Sequence, residues 1–124
     1  MKTQYTQIIS TLNKLRAEIR WKPQSALRHL QKRRARGHLP PTATLSEYEA
    51  IIRVVLQDKS AEVYLYWYNQ VAYVTVVGPI GNQKWLVMAT DDGILESAFV
   101  VERPELYLKQ PGFEYMGTID EVMQ

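Results

Sequence analysis

The 124-residue chain contains no cysteine. Disulfide bridges, thiolate metal sites and a cysteine nucleophile are therefore excluded, and the redox compartment is left open. Histidine is nearly as scarce, occurring only as His29 and His38. Two histidines nine residues apart with no acid nearby match no zinc or facial-triad spacing, and Asp91-Asp92 sits where a turn would place such residues anyway, so neither a metal nor a cofactor is expected. A glycine-rich phosphate loop is missing as well, because Gly78-Pro79-Ile80-Gly81 falls between two strands rather than between a strand and a helix. Long apolar runs are absent, and residues 1–10 lack the basic start, apolar stretch and cleavage site of a signal peptide. A soluble, cytoplasmic protein without membrane contact is the expectation.

What the chain does contain is ordinary globular composition, 46% hydrophobic and 23% charged, in a length suited to one domain over residues 1–124. The net charge of +2 conceals a division. Residues 1–46 carry ten Lys or Arg against the single acid Glu18, whereas residues 47–124 carry five basic and twelve acidic residues. A basic helical segment over 1–46, followed by a helix and sheet over 47–124, suggests that the N-terminal part faces an anion, and nucleic acid is the usual one. Solvated helix faces, or attraction between the two halves, would produce the same split.

Ile8, Leu12, Leu15 and Ile19 recur at helical spacing and predict a helix over Lys2 to Arg20, ending near Trp21-Lys22-Pro23. A second helix is expected from Gln24 or Ser25 to about Arg36, stopped by Gly37, with Leu27 and Leu30 on one side and His29, Lys32, Arg33 and Arg36 on the other. Thr44-Leu45-Ser46-Glu47 fits a capping box opening a third helix to about Gln57. From Ala61 the period shortens to two, and strands are expected near 62–68, 71–77, 84–90 and 94–101. Asn69-Gln70 and Asp92-Gly93 would form tight turns, and Gly78 to Gln83 a longer loop. Beyond Pro104, Leu106–Leu108 reads as extended and Ile119–Met123 as too short to define a helix. The fold class is α+β: about three N-terminal helices, then a four-stranded antiparallel meander.

A histidine among cations suits metal-independent RNA cleavage, in which the ribose 2′-hydroxyl attacks the adjacent phosphate. A general acid/base with a pKa near neutrality moves protons while cations stabilise the added negative charge. Both histidines qualify by position, and both are equally consistent with ordinary surface residues. Tyr64, Tyr66 and Tyr68 share one face of the first long strand, with Val63, Leu65 and Trp67 on the other. Core packing is the expected role of the tyrosines, with base stacking the alternative.

The series Arg28-His29-Leu30-Gln31-Lys32-Arg33, then Gly37-His38-Leu39-Pro40, then Glu96-Ser97-Ala98-Phe99 on a late strand, resembles the barnase–EndoU–colicin–RelE (BECR) superfamily of small ribonucleases, chiefly its phage-associated and polymorphic-toxin branches. The resemblance spans roughly residues 24–107. It implies N-terminal helices before a four-stranded antiparallel sheet and metal-independent cleavage of RNA, often tRNA. Colicin-type tRNases place a histidine beside lysines early and a serine two positions before an aromatic residue on a late strand. Ser97 and Phe99 match these last two, with Phe99 in place of tryptophan, and the histidine has two candidates. Glu96 and Ser97 would face opposite sides of a regular strand, so both line one site only if a bulge intervenes.

The expected activity is thus an RNA endonuclease leaving a cyclic phosphate. His29 or His38 is the acid/base, Lys32, Arg33 and Arg36 hold the phosphate, Ser97 hydrogen-bonds phosphate or ribose, and Phe99 packs or stacks. Glu96 is a lesser candidate for general base, as a barnase-like arrangement would suggest. The alternatives are a noncatalytic RNA-binding module and a protein-interaction module for an acidic partner, such as the immunity or antitoxin protein that toxin-like nucleases usually need. The oligomeric state is open.

Overall fold

The computed structural model describes residues 2–124, with side chains from Gln4 onward, so Met1 of the expected 1–124 domain lies outside the described residues. In chain order the elements are α1 (Lys2–Ala17), β1 (Arg20–Trp21), α2 (Ala26–Ala35), α3 (Leu45–Gln57), β2 (Glu62–Tyr68), β3 (Val71–Ile80), β4 (Gln83–Ala89), β5 (Ile94–Val100), α4 (Pro104–Tyr107), β6 (Phe113–Thr118) and α5 (Ile119–Met123). The α+β class holds, but the count does not. Among the described residues, five helices and a six-stranded mixed sheet replace the expected three and four. The sheet runs β1-β5-β4-β3-β2-β6. Its central β2 to β5 form the expected meander, β1 pairs parallel with β5, and β6 pairs antiparallel with β2.

The turns explain the meander. Asn69 and Gln70 both have positive φ, 50° and 65°, as the two-residue hairpin between β2 and β3 requires. The loop expected from Gly78 to Gln83 is instead a tight hairpin. Residues 78–80 continue β3 in register with residues 83–85 of β4, and Gly81, at φ 60°, turns the chain. Pro79 is tolerated because the strand is ending there. The segment expected to be extended at Leu106–Leu108 opens as the short helix α4, with Pro104 at its first position, where a missing N–H costs nothing. Ile119–Met123 is a helix despite its length because Thr118 and Glu121 form a second capping box.

All the larger helices pack on one face of the sheet. Ile8, Leu12 and Leu15 of α1, Tyr48, Ile52, Val55 and Leu56 of α3, and Ile119 and Val122 of α5 bury against Val63, Val76, Trp85, Val87 and Leu95. The capping box at Thr44 and Glu47 starts α3 where expected. On the opposite face a smaller cluster of Val77, Leu86, Met88 and Val101 is flanked by Tyr64, Tyr66, Phe99, Tyr107 and Phe113. Tyr64 and Tyr66 pack against Phe113, so they serve that second core. Among the described residues, no helix is long and apolar enough to cross a membrane.

Helix α2 is rotated from the expected orientation. Leu30 is 5% exposed but Leu27 is 62% exposed, and Arg33, expected on the outer strip, is 2% exposed. His29 is half-buried beside it, while Lys32 and Arg36 remain outside. The inward stripe is thus Ser25, His29, Leu30 and Arg33. Leu30→Ala should therefore lower stability by about 2–5 kcal/mol, while Leu27→Ala should stay within about 0.5 kcal/mol. Urea midpoints compare the two directly, and equal losses would contradict this rotation.

Candidate anion site at the edge of β5

Strand β1 pairs with β5 only at residues 94 and 95, leaving the rest of the outer edge of β5 without a strand partner. The Val101 N–H donates inward to the Lys84 carbonyl at 2.8 Å, so by antiparallel alternation Val100 directs its N–H outward. Side chains from the helical layer meet that edge. The Val100 N–H donates to His38 Nδ1 at 3.3 Å, and the Tyr48 hydroxyl donates to the Ala98 carbonyl at 2.5 Å.

His38 is brought there by the end of α2. Gly37, at φ 75°, allows the His38 N–H to reach the Arg33 carbonyl (2.9 Å) and the Gly37 N–H to reach that of Arg34 (3.2 Å), the paired bonds of a Schellman motif. The backbone of His38 is therefore tied to Arg33, and so is its side chain, because Arg33 Nη1 lies 3.3 Å from His38 Nδ1. Val100 N–H and the guanidinium can only donate, so Nδ1 accepts and the ring proton resides on Nε2. Desolvation and the charge of Arg33 hold the His38 pKa below its ordinary value.

Arg33 is the centre of the arrangement. Its guanidinium carbon lies 5.6 Å from the Phe99 ring centroid, its Nε is buried without a hydrogen-bond partner, and among the described residues it has no ion pair. Burial draws its pKa down, opposed by Tyr48 and reinforced by Arg36. On the other side, His29 stacks on Trp21 with ring centroids 5.4 Å apart, and its Nδ1 is buried and unpartnered. Desolvation first, then Arg33, Lys32 and Arg28, push its pKa down, opposed by Glu96. The two histidines are joined by a continuous row of rings, His29–Trp21–Tyr48–Trp85–His38, with successive centroids 5.4 to 6.3 Å apart.

The bulge on which a shared site for Glu96 and Ser97 would depend is present. Ala89 pairs with Leu95 and Met88 with Ser97, leaving Glu96 as the extra residue in β5. Its carboxylate pairs with Lys22 at 2.7 Å. Among the expected site residues, His29, Arg33, His38 and Phe99 are linked by direct contacts or charge, Glu96 acts electrostatically on His29, and Arg36 joins His38 in lining a cavity. Ser97 is half-buried on β5, two residues from Phe99, and Lys32 remains exposed on α2. Trp21, Tyr48, Trp85 and Tyr107 were not anticipated. Trp21 and Trp85 carried no sequence signal beyond being aromatic, and Tyr48 none beyond its place on the apolar side of α3. Among the described residues, no three His, Asp or Glu side chains are grouped as metal ligands. Comparison with known proteins finds no matching family model, curated protein or solved structure.

Exposed Lys32 and Arg36 present positive charge on the outside of the buried Arg33, His38 keeps an Nε2–H to donate, and His29 adds a half-buried titratable ring. Both depressed histidines also link folding to pH. Above about pH 6.5 they are neutral folded or unfolded; as pH falls through that unfolded value toward their lower folded values, only the unfolded chain takes up protons, so stability is lost. The urea midpoint should fall between pH 7.5 and 5.5, and His29→Gln combined with His38→Gln should flatten that slope. An unchanged slope in the double variant would assign the pH dependence to other groups.

Proposed function

We propose that this protein binds the phosphate backbone of RNA at Arg33 and cleaves it without a metal, by attack of the 2′-hydroxyl to leave a cyclic phosphate, as the resemblance to BECR ribonucleases implies. The observation that carries the reading is the buried, unpaired Arg33 guanidinium. A charge held in a low-dielectric setting without a counter-ion is costly, and a ligand phosphate supplies the missing partner. The bound phosphate would also cancel part of the field that depresses His29, returning its pKa toward the range useful for proton transfer. His29 is then the acid/base. His38, with Nδ1 committed to β5, donates from Nε2 and positions Arg33. Arg36 and Lys32 attract the backbone from outside, Ser97 donates to phosphate or ribose, and tRNA is the expected substrate class.

Noncatalytic RNA binding is the second reading, favoured by one observation: Glu96, the alternative base that the resemblance suggests, is held by Lys22. Docking of an acidic inhibitor protein on the exposed cations of α2 is compatible with either.

Labelled total tRNA incubated with the protein and a chelator should yield discrete fragments, lost with His29→Ala. Cleavage should also fall by about 10²–10³ in Arg33→Met, the cost of losing one preorganised charge-stabilising group. The same variant should be as stable as the parent or more so, because it replaces an unpaired buried charge with an apolar side chain of similar volume. Retention of intact tRNA that weakens with salt would select the binding module. A marked loss of stability in Arg33→Met with RNA handling unchanged would make Arg33 structural.

A further inference from the structure

A cavity of about 670 Å³ is lined in part by Phe99 and His38, the two side chains that contact Arg33, while Arg33 itself lies behind them. Phe99, which carries the Arg33 guanidinium on its ring, and Tyr107, edge-on to Phe99 with centroids 6.0 Å apart, supply its aromatic surface. His38 lines it near β5, Leu106 adds apolar surface from α4, and the exposed Arg36 and Arg103 contribute positive charge to its lining. Glu102 is the one carboxylate among the lining residues, offering acceptor oxygens near those cations. Tyr107 itself is backed by Phe113 at 5.5 Å, so its ring is held in place.

Flat ring surface, a few polar groups and a buried cation next door together describe a receptor for a planar, polar ring attached to an anion. We infer that the cavity is a nucleobase subsite, taking the base of the nucleotide whose phosphate reaches Arg33, and that the protein therefore acts on unpaired nucleotides. A base inside a duplex is stacked between neighbours and cannot present its face to Phe99 or Tyr107, whereas a base in a single-stranded loop can swing out to do so. This rests on the phosphate reading of Arg33 and adds the base to it. Segment 103–110, which contains α4, forms one side of the cavity and would set which base is accepted.

The test compares binding of the four ribonucleoside 5′-monophosphates with ribose 5-phosphate, which has the same sugar and phosphate but no base, by calorimetry on the intact protein. At least one nucleotide should bind about tenfold or more tightly than ribose 5-phosphate, in line with one base–aromatic stack. Tyr107→Leu should remove that difference and leave ribose 5-phosphate binding unchanged, while Tyr107→Phe should retain it. Equal binding of nucleotides and ribose 5-phosphate would overturn the base subsite and leave the phosphate site standing. Failure of both ligands to bind would overturn the two together. Because the comparison among ligands is made in the parent protein, it decides the matter even where a Tyr107 variant folds poorly.

Discussion

The short β1 leaves most of β5 with an open side, and the backbone groups there must still be satisfied. An unpartnered buried carbonyl or N–H costs about 1–3 kcal/mol, so an edge in contact with the helical layer needs donors and acceptors from that layer. Tyr48 and His38 supply them, one to the Ala98 carbonyl and the other to the Val100 N–H. Both residues come from the helical half of the chain, so satisfying this edge fixes where α2 and α3 sit against the sheet. Once α2 ends in a Schellman turn that delivers His38 to Val100, Arg33 has little freedom, because the same turn ties its carbonyl to His38 and its guanidinium lies against the His38 ring. The unpaired charge is thus a geometric consequence of how the sheet is closed.

Charge then decides what such a site can do. Of the carboxylates near the edge, Glu96 holds Lys22, Glu49 accepts from the Trp21 indole and approaches Arg53, and Glu102 acts on His38, so none of the three forms an ion pair with Arg33. Arg33 is consequently left among rings and other cations. A protein selected only for stability would replace such a group with leucine or methionine, since burying an unpaired guanidinium gains nothing in folding. Its burial at 2% exposure, against Phe99 and His38, is a local cost that the rest of the fold offsets.

The parts of this arrangement that depend on local patterning were readable from the amino-acid sequence. The capping box at Thr44, the stop at Gly37, the Asn69-Gln70 turn and the central meander all follow from signals spanning a few residues. The bulge at Glu96 was posed as a condition, since two adjacent residues can share a face in no other way. What escaped was non-local. A two-residue strand such as β1 has no periodicity, and its pairing depends on a partner over seventy positions away. Strand β6 alternates poorly because Gly117 and the exposed Glu114 and Tyr115 interrupt its pattern. The rotation of α2 was misread because an apolar stripe of only two leucines is outweighed by the Schellman turn and the ring row, which pull His29 and Arg33 inward. The candidate residues were therefore recognisable by type, while the reason they converge lies in an edge that no short window contains.

The same edge separates the two histidines, which sequence position alone leaves equivalent. Protonating His38 at Nδ1 would set a donor against the Val100 N–H and the Arg33 guanidinium simultaneously, so a positive His38 requires the edge bond to break. His29 bears no such bond. Its Nδ1 is buried without a partner, and its ring is held by stacking on Trp21, an interaction that survives a change of charge because a cationic imidazole is attracted to an indole face. Glu96 favours the proton on His29 while Arg33 opposes it. Its protonation state therefore follows from its burial and the charges around it, whereas protonating His38 also requires breaking the bond to the backbone it caps. A proton that must come and go without disturbing the sheet can be carried only by the first of these, and the second is placed to keep the cation between them in position.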